Sequence, residues 1–198
     1  MVISKDLIQE LRAETGAGIM DCKEALTQTA GDLGKAKDIL RKKGLSIASK
    51  KAGRKVKEGR IASYVHLGGK VGVLIEVNCE TDFVAKNEVF KRFVKDVTMQ
   101  IAAQNPQYLS RENVPEEVID RESQIFRSQI EAKSEDETKR RVNKKLKEFF
   151  KEVCLLEQPF IKNLEITIKE YLTSVIAKTR ENIVIRRFTR YGLGEELE

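Results

Sequence analysis

An α+β fold is predicted for this 198-residue chain by three changes in its hydrophobic period. Residues 5–42 repeat apolar side chains at helical spacing in three short runs. Residues 59–79 alternate at a period of two around Gly68-Gly69, and Val142, Leu146, Phe149, Val153 and Leu156 recur at steps of four and three, the seam of a coiled coil. Together they predict an N-terminal three-helix bundle, then a small antiparallel three-stranded sheet packed with helices, with an antiparallel coiled-coil hairpin inserted into it.

The first helix has Leu7, Ile8 and Leu11 on one face and ends at Thr15-Gly16-Ala17-Gly18, where glycine permits left-handed caps. The second carries Ile19, Cys22, Ala25, Leu26 and Thr29. Ala30-Gly31-Asp32 closes it, with Asp32 placed to cap the next helix. The third carries Leu33, Ala36, Ile39 and Leu40 and is expected to stop at Gly44. This domain, residues 1–44, resembles a ubiquitin-associated-type three-helix fold. Residues 45–58 read as a basic linker, partly helical through Ser46–Ala52. Residues 59–114 form the first part of the core: the glycine-turn hairpin, then a helix capped by Asn87 with Phe90, Phe93, Val94, Val97 and Ile101 inward, ended by Asn105-Pro106. Residues 115–157 are the helical hairpin, with helices expected over 116–132 and 135–156 separated by a polar turn around Lys133. Residues 158–191 return to the core with a helix from about Thr167 and a last strand over 182–190. Residues 192–198 are an acidic tail, of which Glu195–Glu198 is expected to fray.

Composition excludes several classes. No apolar run is long enough to span a bilayer, and the start lacks the apolar core of a signal peptide, so a cytoplasmic location is expected. Cys22, Cys79 and Cys154 are widely spaced, with no CxxC pair, and His66 is the single histidine, so neither a metal site nor a cofactor is expected. Glycine-rich phosphate loops and zinc-protease motifs are missing, and an enzyme is not expected. The net charge of +6 is concentrated: residues 41–60 carry a local +8, leaving −2 elsewhere. That segment is either a solvated linker or an RNA or ribosome contact. It lacks aromatic residues for stacking on single strands.

Two segments hold the candidate binding residues. At the strand-to-helix joint sit Thr81-Asp82-Phe83-Val84. Thr81 or Asp82 reads as a helix cap with Phe83 packed beneath it, or Phe83 reads as a projecting aromatic anchor. Between the first two helices, Arg12, Ile19 and Met20 read as parts of an ordinary helical turn or as an exposed apolar and cationic patch.

Thr15–Lys23, Asn78–Ala85 (Asn-Cys-Glu-Thr-Asp-Phe-Val-Ala), Leu155–Phe160 and Glu181–Phe188 occur in an order that resembles the elongation factor Ts family, from about Leu7 to Arg190. The resemblance implies a guanine nucleotide exchange factor of translation elongation. Such a factor binds GDP-bound elongation factor Tu, dislocates Mg²⁺ and promotes GDP release. It implies that Thr81, Asp82, Phe83 and Val84 form the loop that reaches the nucleotide site, with Phe83 wedged between helices. Arg12, Ile19 and Met20 would grip the nucleotide-binding domain of Tu, and His66 is a candidate for a minor contact. Many members carry Met at both positions matching Ile19 and Met20. Longer members duplicate the core. This chain has one hairpin and one Asp-Phe loop, so a homodimer is the implied source of the second set of contacts. The competing readings are an RNA- or ribosome-binding module using residues 41–60, and a ubiquitin-associated-type adaptor with a structural arm.

Overall fold

The computed structural model describes residues 3–130 and 134–196. Among them are helices α1 (Lys5–Thr15), α2 (Ile19–Gln28), α3 (Leu33–Lys51), α4 (Asp82–Lys86), α5 (Glu88–Gln104), α6 (Glu116–Ser128), α7 (Glu135–Val153) and α8 (Ile168–Thr179). The strands are β1 (Glu58–Val65), β2 (Val71–Cys79), β3 (Pro159–Phe160), β4 (Asn163–Thr167) and β5 (Ile183–Gly192). An antiparallel sheet runs in the order β1-β2-β5, and β3-β4 form a second, two-stranded piece. The fold is α+β, as the periodicity predicts. The expected turn residue Lys133 and the tail residues Leu197 and Glu198 lie outside the described residues.

One compact unit comprises Met1–Ile61, Glu76–Val94 and Leu172–Arg186. Its N-terminal bundle buries Leu11, Cys22, Ala25, Leu26, Ala36 and Leu40 together. Ser4 and Asp32 cap α1 and α3 by accepting from the amides of Leu7 and Lys35 at 3.2 and 3.0 Å. Contrary to expectation, α3 does not stop at Gly44. It continues to Lys51, so the helical part expected in the linker is an unbroken extension of α3, with Lys50 and Lys51 in the last turn where the helix dipole favours cations. Gly44 is buried against α8: a Cβ there would lie 3.7 Å from Ala177 Cβ. It marks a close helix approach rather than a cap. Gly59 in β1 has φ 147°, and a Cβ there would lie 2.2 Å from the Val77 carbonyl oxygen, so only glycine admits the neighbouring strand so closely.

The second unit comprises Ala62–Ile75, Lys95–Tyr171 and Arg187–Glu198. The hairpin turn uses Gly68 and Gly69 at positive φ, with the Gly69 amide donating to His66 O at 2.9 Å. Two buried glutamines tie the base of the arm. Gln100 Nε2 donates to Gln158 Oε1 and Pro159 O at 3.1 Å each, and its Oε1 accepts from the Ile161 amide at 2.9 Å. Gln158 Nε2 donates to Glu152 O at 2.8 Å. Asp96, also buried, meets Lys162 at 2.7 Å and the Tyr171 hydroxyl at 2.9 Å.

The arm differs from expectation at its ends. Helix α6 ends at Ser128, and residues 131–132 of the expected helix lie outside the described residues. Helix α7 ends at Val153: Cys154 turns extended and bridges to Tyr108, which places Leu156 in a 3₁₀ turn beyond the coiled-coil seam. At ~1.5 Å per residue, the 19 residues of α7 span roughly 28 Å. Neither arm helix buries a residue fully, so a thin seam and surface pairs hold them. The tail is not frayed at its start, because Glu195 accepts from the Gly192 amide at 2.7 Å and pairs with Arg190.

Candidate functional site

The joint after β2 forms a short helix where the sequence suggests a loop. Thr81 is extended, at φ −129° and ψ 157°, and its hydroxyl oxygen accepts from the Val84 amide at 3.4 Å. It therefore caps α4. Helix α4 buries Ala85. Residues two apart on a helix point roughly 200° apart, so inward Ala85 dictates outward Phe83. Phe83 is 82% exposed. The cap and the anchor, opposed as readings of the sequence, are both present: Thr81 caps, and Phe83 projects. Asp82 pairs with Lys86 one turn on, at 2.8 Å, which holds its carboxyl below the usual range while leaving both groups in solvent. Val84 is partly covered. Asn87 ends α4 and caps α5 by accepting from the Val89 amide at 2.8 Å.

This joint is clamped from a distant part of the chain. Glu181 Oε2 accepts from the amides of Glu80 and Thr81 at 3.1 and 3.0 Å, and its Oε1 accepts from the Thr81 hydroxyl at 2.6 Å. In return Glu80 Oε1 accepts from the Asn182 amide at 2.7 Å, and Glu80 Oε2 meets Arg54 at 3.3 Å. The Asn182 bond, and then the Arg54 charge, lower the Glu80 carboxyl below its ordinary value. A lowered carboxyl stabilises the fold above the ordinary glutamate range, and that stability is lost as pH falls through the folded value. Cys79, beneath the joint, has its thiol pushed up to about 11 by burial and then by the charge of Glu181. The sequence carries no local sign of these roles for Glu80, Glu181 and Asn182, because the pairs lie about a hundred residues apart.

The N-terminal residues sit where α1 turns into α2. Gly16 is left-handed, with φ 62°, and its amide donates to Arg12 O at 2.7 Å. Arg12 is exposed, and Ile19 and Met20 in the first turn of α2 are 54% and 70% exposed. They belong to the same compact unit as Phe83. Lys178 of α8 lies over Gly16, and burial lowers its ammonium pKa. His66, in the other unit, is exposed at the end of the hairpin, with Nδ1 2.9 Å from the Tyr64 hydroxyl. In the basic segment, Lys43 is engaged by Asp21 and Glu24, and Arg54 by Glu80. Cys22, Cys79 and Cys154 are buried and unpaired. Among the described residues there is no cluster of three or more metal-ligating side chains, and no helix is long and apolar enough to cross a membrane.

The unit thus presents an exposed aromatic on a capped helix and an exposed apolar and cationic turn. A family model described as Elongation factor TS matches residues 7–195. The chain is 56% identical to an elongation factor Ts of Carboxydothermus hydrogenoformans, covering 99% of this chain and 91% of that relative. It is 53% identical to an elongation factor Ts of Syntrophus aciditrophicus over the whole of both chains, and 54% identical to one of Caldanaerobacter subterraneus, again over both. The chain belongs to the elongation factor Ts family, whose members are translation elongation factors.

Proposed function

We propose that this protein is the guanine nucleotide exchange factor for elongation factor Tu, and that it acts by displacing Mg²⁺ from the GDP-bound form. The observation that carries this reading is Phe83: a large aromatic held in solvent by a capped helix whose other face is buried. Arg12, Ile19 and Met20 supply the grip on the nucleotide-binding domain. Phe83 enters an apolar crevice and shifts the helices that position the Mg²⁺ ligands, with Thr81 and Val84 shaping the wedge. Asp82 brings negative charge towards the metal once it exchanges Lys86 for contacts of the partner. Losing Mg²⁺ removes much of the phosphate neutralisation that holds GDP.

The factor need not contact GDP. It must bind Tu better without GDP and Mg²⁺ than with them, and linkage then makes each ligand weaken the other equally. No group of the chain forms or breaks a covalent bond in this scheme. Residues 1–44 and the core carry the contacts, the arm is peripheral, and a second copy of the chain supplies a second set. The cytoplasm, where elongation takes place, is the proposed location. Release of a fluorescent GDP analogue from Tu tests the reading: the protein in catalytic amounts accelerates release many-fold, and no acceleration overturns it.

A further inference from the structure

We propose that the corner between α8 and β5, Arg180-Glu181-Asn182, is the positioning element that holds the wedge helix and the N-terminal grip in register. The inference rests on the reading of Phe83 as the wedge. Arg180 adopts a left-handed conformation, φ 60°, directly after α8. That turn sends consecutive side chains to different partners. Arg180 reaches α2, the helix carrying Ile19 and Met20, and meets Asp21 at 3.2 Å. Glu181 takes the Glu80 and Thr81 amides and the Thr81 hydroxyl, three donors at the mouth of α4. Asn182 donates through Nδ2 to Arg54 O at 2.8 Å and Ala52 O at 3.4 Å, just past α3, while its amide holds Glu80. All of these residues lie in one compact unit.

Geometry explains why this corner, rather than the local sequence, sets the wedge. Helix α4 has only five residues and cannot hold itself, since so short a helix is far below the length stable in isolation. Its first turn is fixed by Thr81, and Thr81 is fixed by Glu181 through both its amide and its hydroxyl. Without Glu181, α4 keeps its buried Ala85 but loses its anchored cap, so Phe83 samples directions in which it cannot enter a crevice. Arg180 acts on the grip instead. The two neighbours therefore divide the kinetics: Glu181 governs the release step within the complex, and Arg180 governs formation of the complex.

The test is release of a fluorescent GDP analogue from Tu at varied concentrations of the full chain. This gives a maximal rate and a half-saturating concentration. Glu181→Ala is expected to lower the maximal rate about five- to tenfold with the half-saturating concentration near wild type. Glu181→Gln is expected to recover at least half of that loss, because an amide oxygen still accepts both backbone donors while its NH₂ donates to the Thr81 oxygen. Arg180→Ala is expected to raise the half-saturating concentration about two- to fivefold with the maximal rate unchanged. If Glu181→Ala does not fold, Glu181→Asp, whose carboxylate is withdrawn by one methylene, reads the same loss of maximal rate. Glu181→Ala in the Phe83→Ala background is expected to add almost nothing. A wild-type maximal rate in Glu181→Ala or Glu181→Asp, or additive losses with Phe83→Ala, overturns the positioning role and leaves the wedge standing. A wild-type rate in Phe83→Ala alone overturns the wedge and this inference with it.

Discussion

Replacing Phe83 with alanine removes the proposed wedge while leaving the buried face of α4 in place. The ring is 82% exposed and lies on the face of α4 opposite buried Ala85, so its loss leaves no cavity. Surface substitutions of this kind stay within ~0.5 kcal/mol, and alanine favours helix, so the melting temperature should move by at most about 2 °C. The functional loss is larger. Burying such a side chain contributes roughly 1.5–3 kcal/mol. About four-fifths of that is still available to a partner in the free protein, or ~1.2–2.5 kcal/mol. At ~1.4 kcal/mol per decade, maximal GDP release should slow roughly eight- to seventyfold. A stopped-flow measurement with Tu loaded with a fluorescent GDP analogue reads this directly. A folded Phe83→Ala protein that releases GDP at the wild-type rate would show that Phe83 is not the wedge. A loss far above a hundredfold would mean that Phe83 does more than fill a crevice, since burial of one such side chain supports only about two decades.

Gly44→Ala is expected to stabilise the protein by about 0.4–1 kcal/mol in urea unfolding, because the helical site has room for a methyl against Ala177. A destabilised variant would mean that the α3–α8 approach is tighter than described. Gly59→Ala is expected to cost well over ~1 kcal/mol, since its methyl meets the Val77 carbonyl at strained φ; a neutral result by thermal melting counts against the β1–β2 geometry. Cys22, Cys79 and Cys154 should react with an aromatic disulfide at pH 8 only after unfolding, and fast labelling of the native chain would contradict their burial. Because the Cys79 thiol is raised, it contributes stability below the ordinary thiol range that is lost as pH climbs towards about 11. A Cys79→Ser variant should lose this part of the alkaline destabilisation, as read by urea midpoints across that window.

Periodicity carried the architecture because burial imposes it. The 3.6-residue spacing of Leu7, Ile8 and Leu11 and the coiled-coil steps from Val142 to Val153 each follow from one covered face. Gly44 misled because glycine has two physical uses, ending helices and letting them approach; the sequence supplies the residue but not the neighbour, Ala177. Alternation in β1 marks a strand without saying which side is covered, and Ile61 and Val65 are exposed. The four-residue Thr81–Val84 segment is too short for a helical period, so only the structure separates the capping role of Thr81 from the outward position of Phe83. Glu181 and Asn182 were illegible as clamps because their partners lie about a hundred positions away and leave no local pattern.

The proposed mutual opposition of this chain and GDP on Tu is read by mixing equimolar protein with GDP-loaded Tu and measuring nucleotide in the complex after gel filtration. A co-eluting complex nearly free of nucleotide is expected, and it should dissociate when excess GDP and Mg²⁺ are restored. A co-eluting complex that retains stoichiometric GDP, or no complex at any concentration, would contradict that opposition.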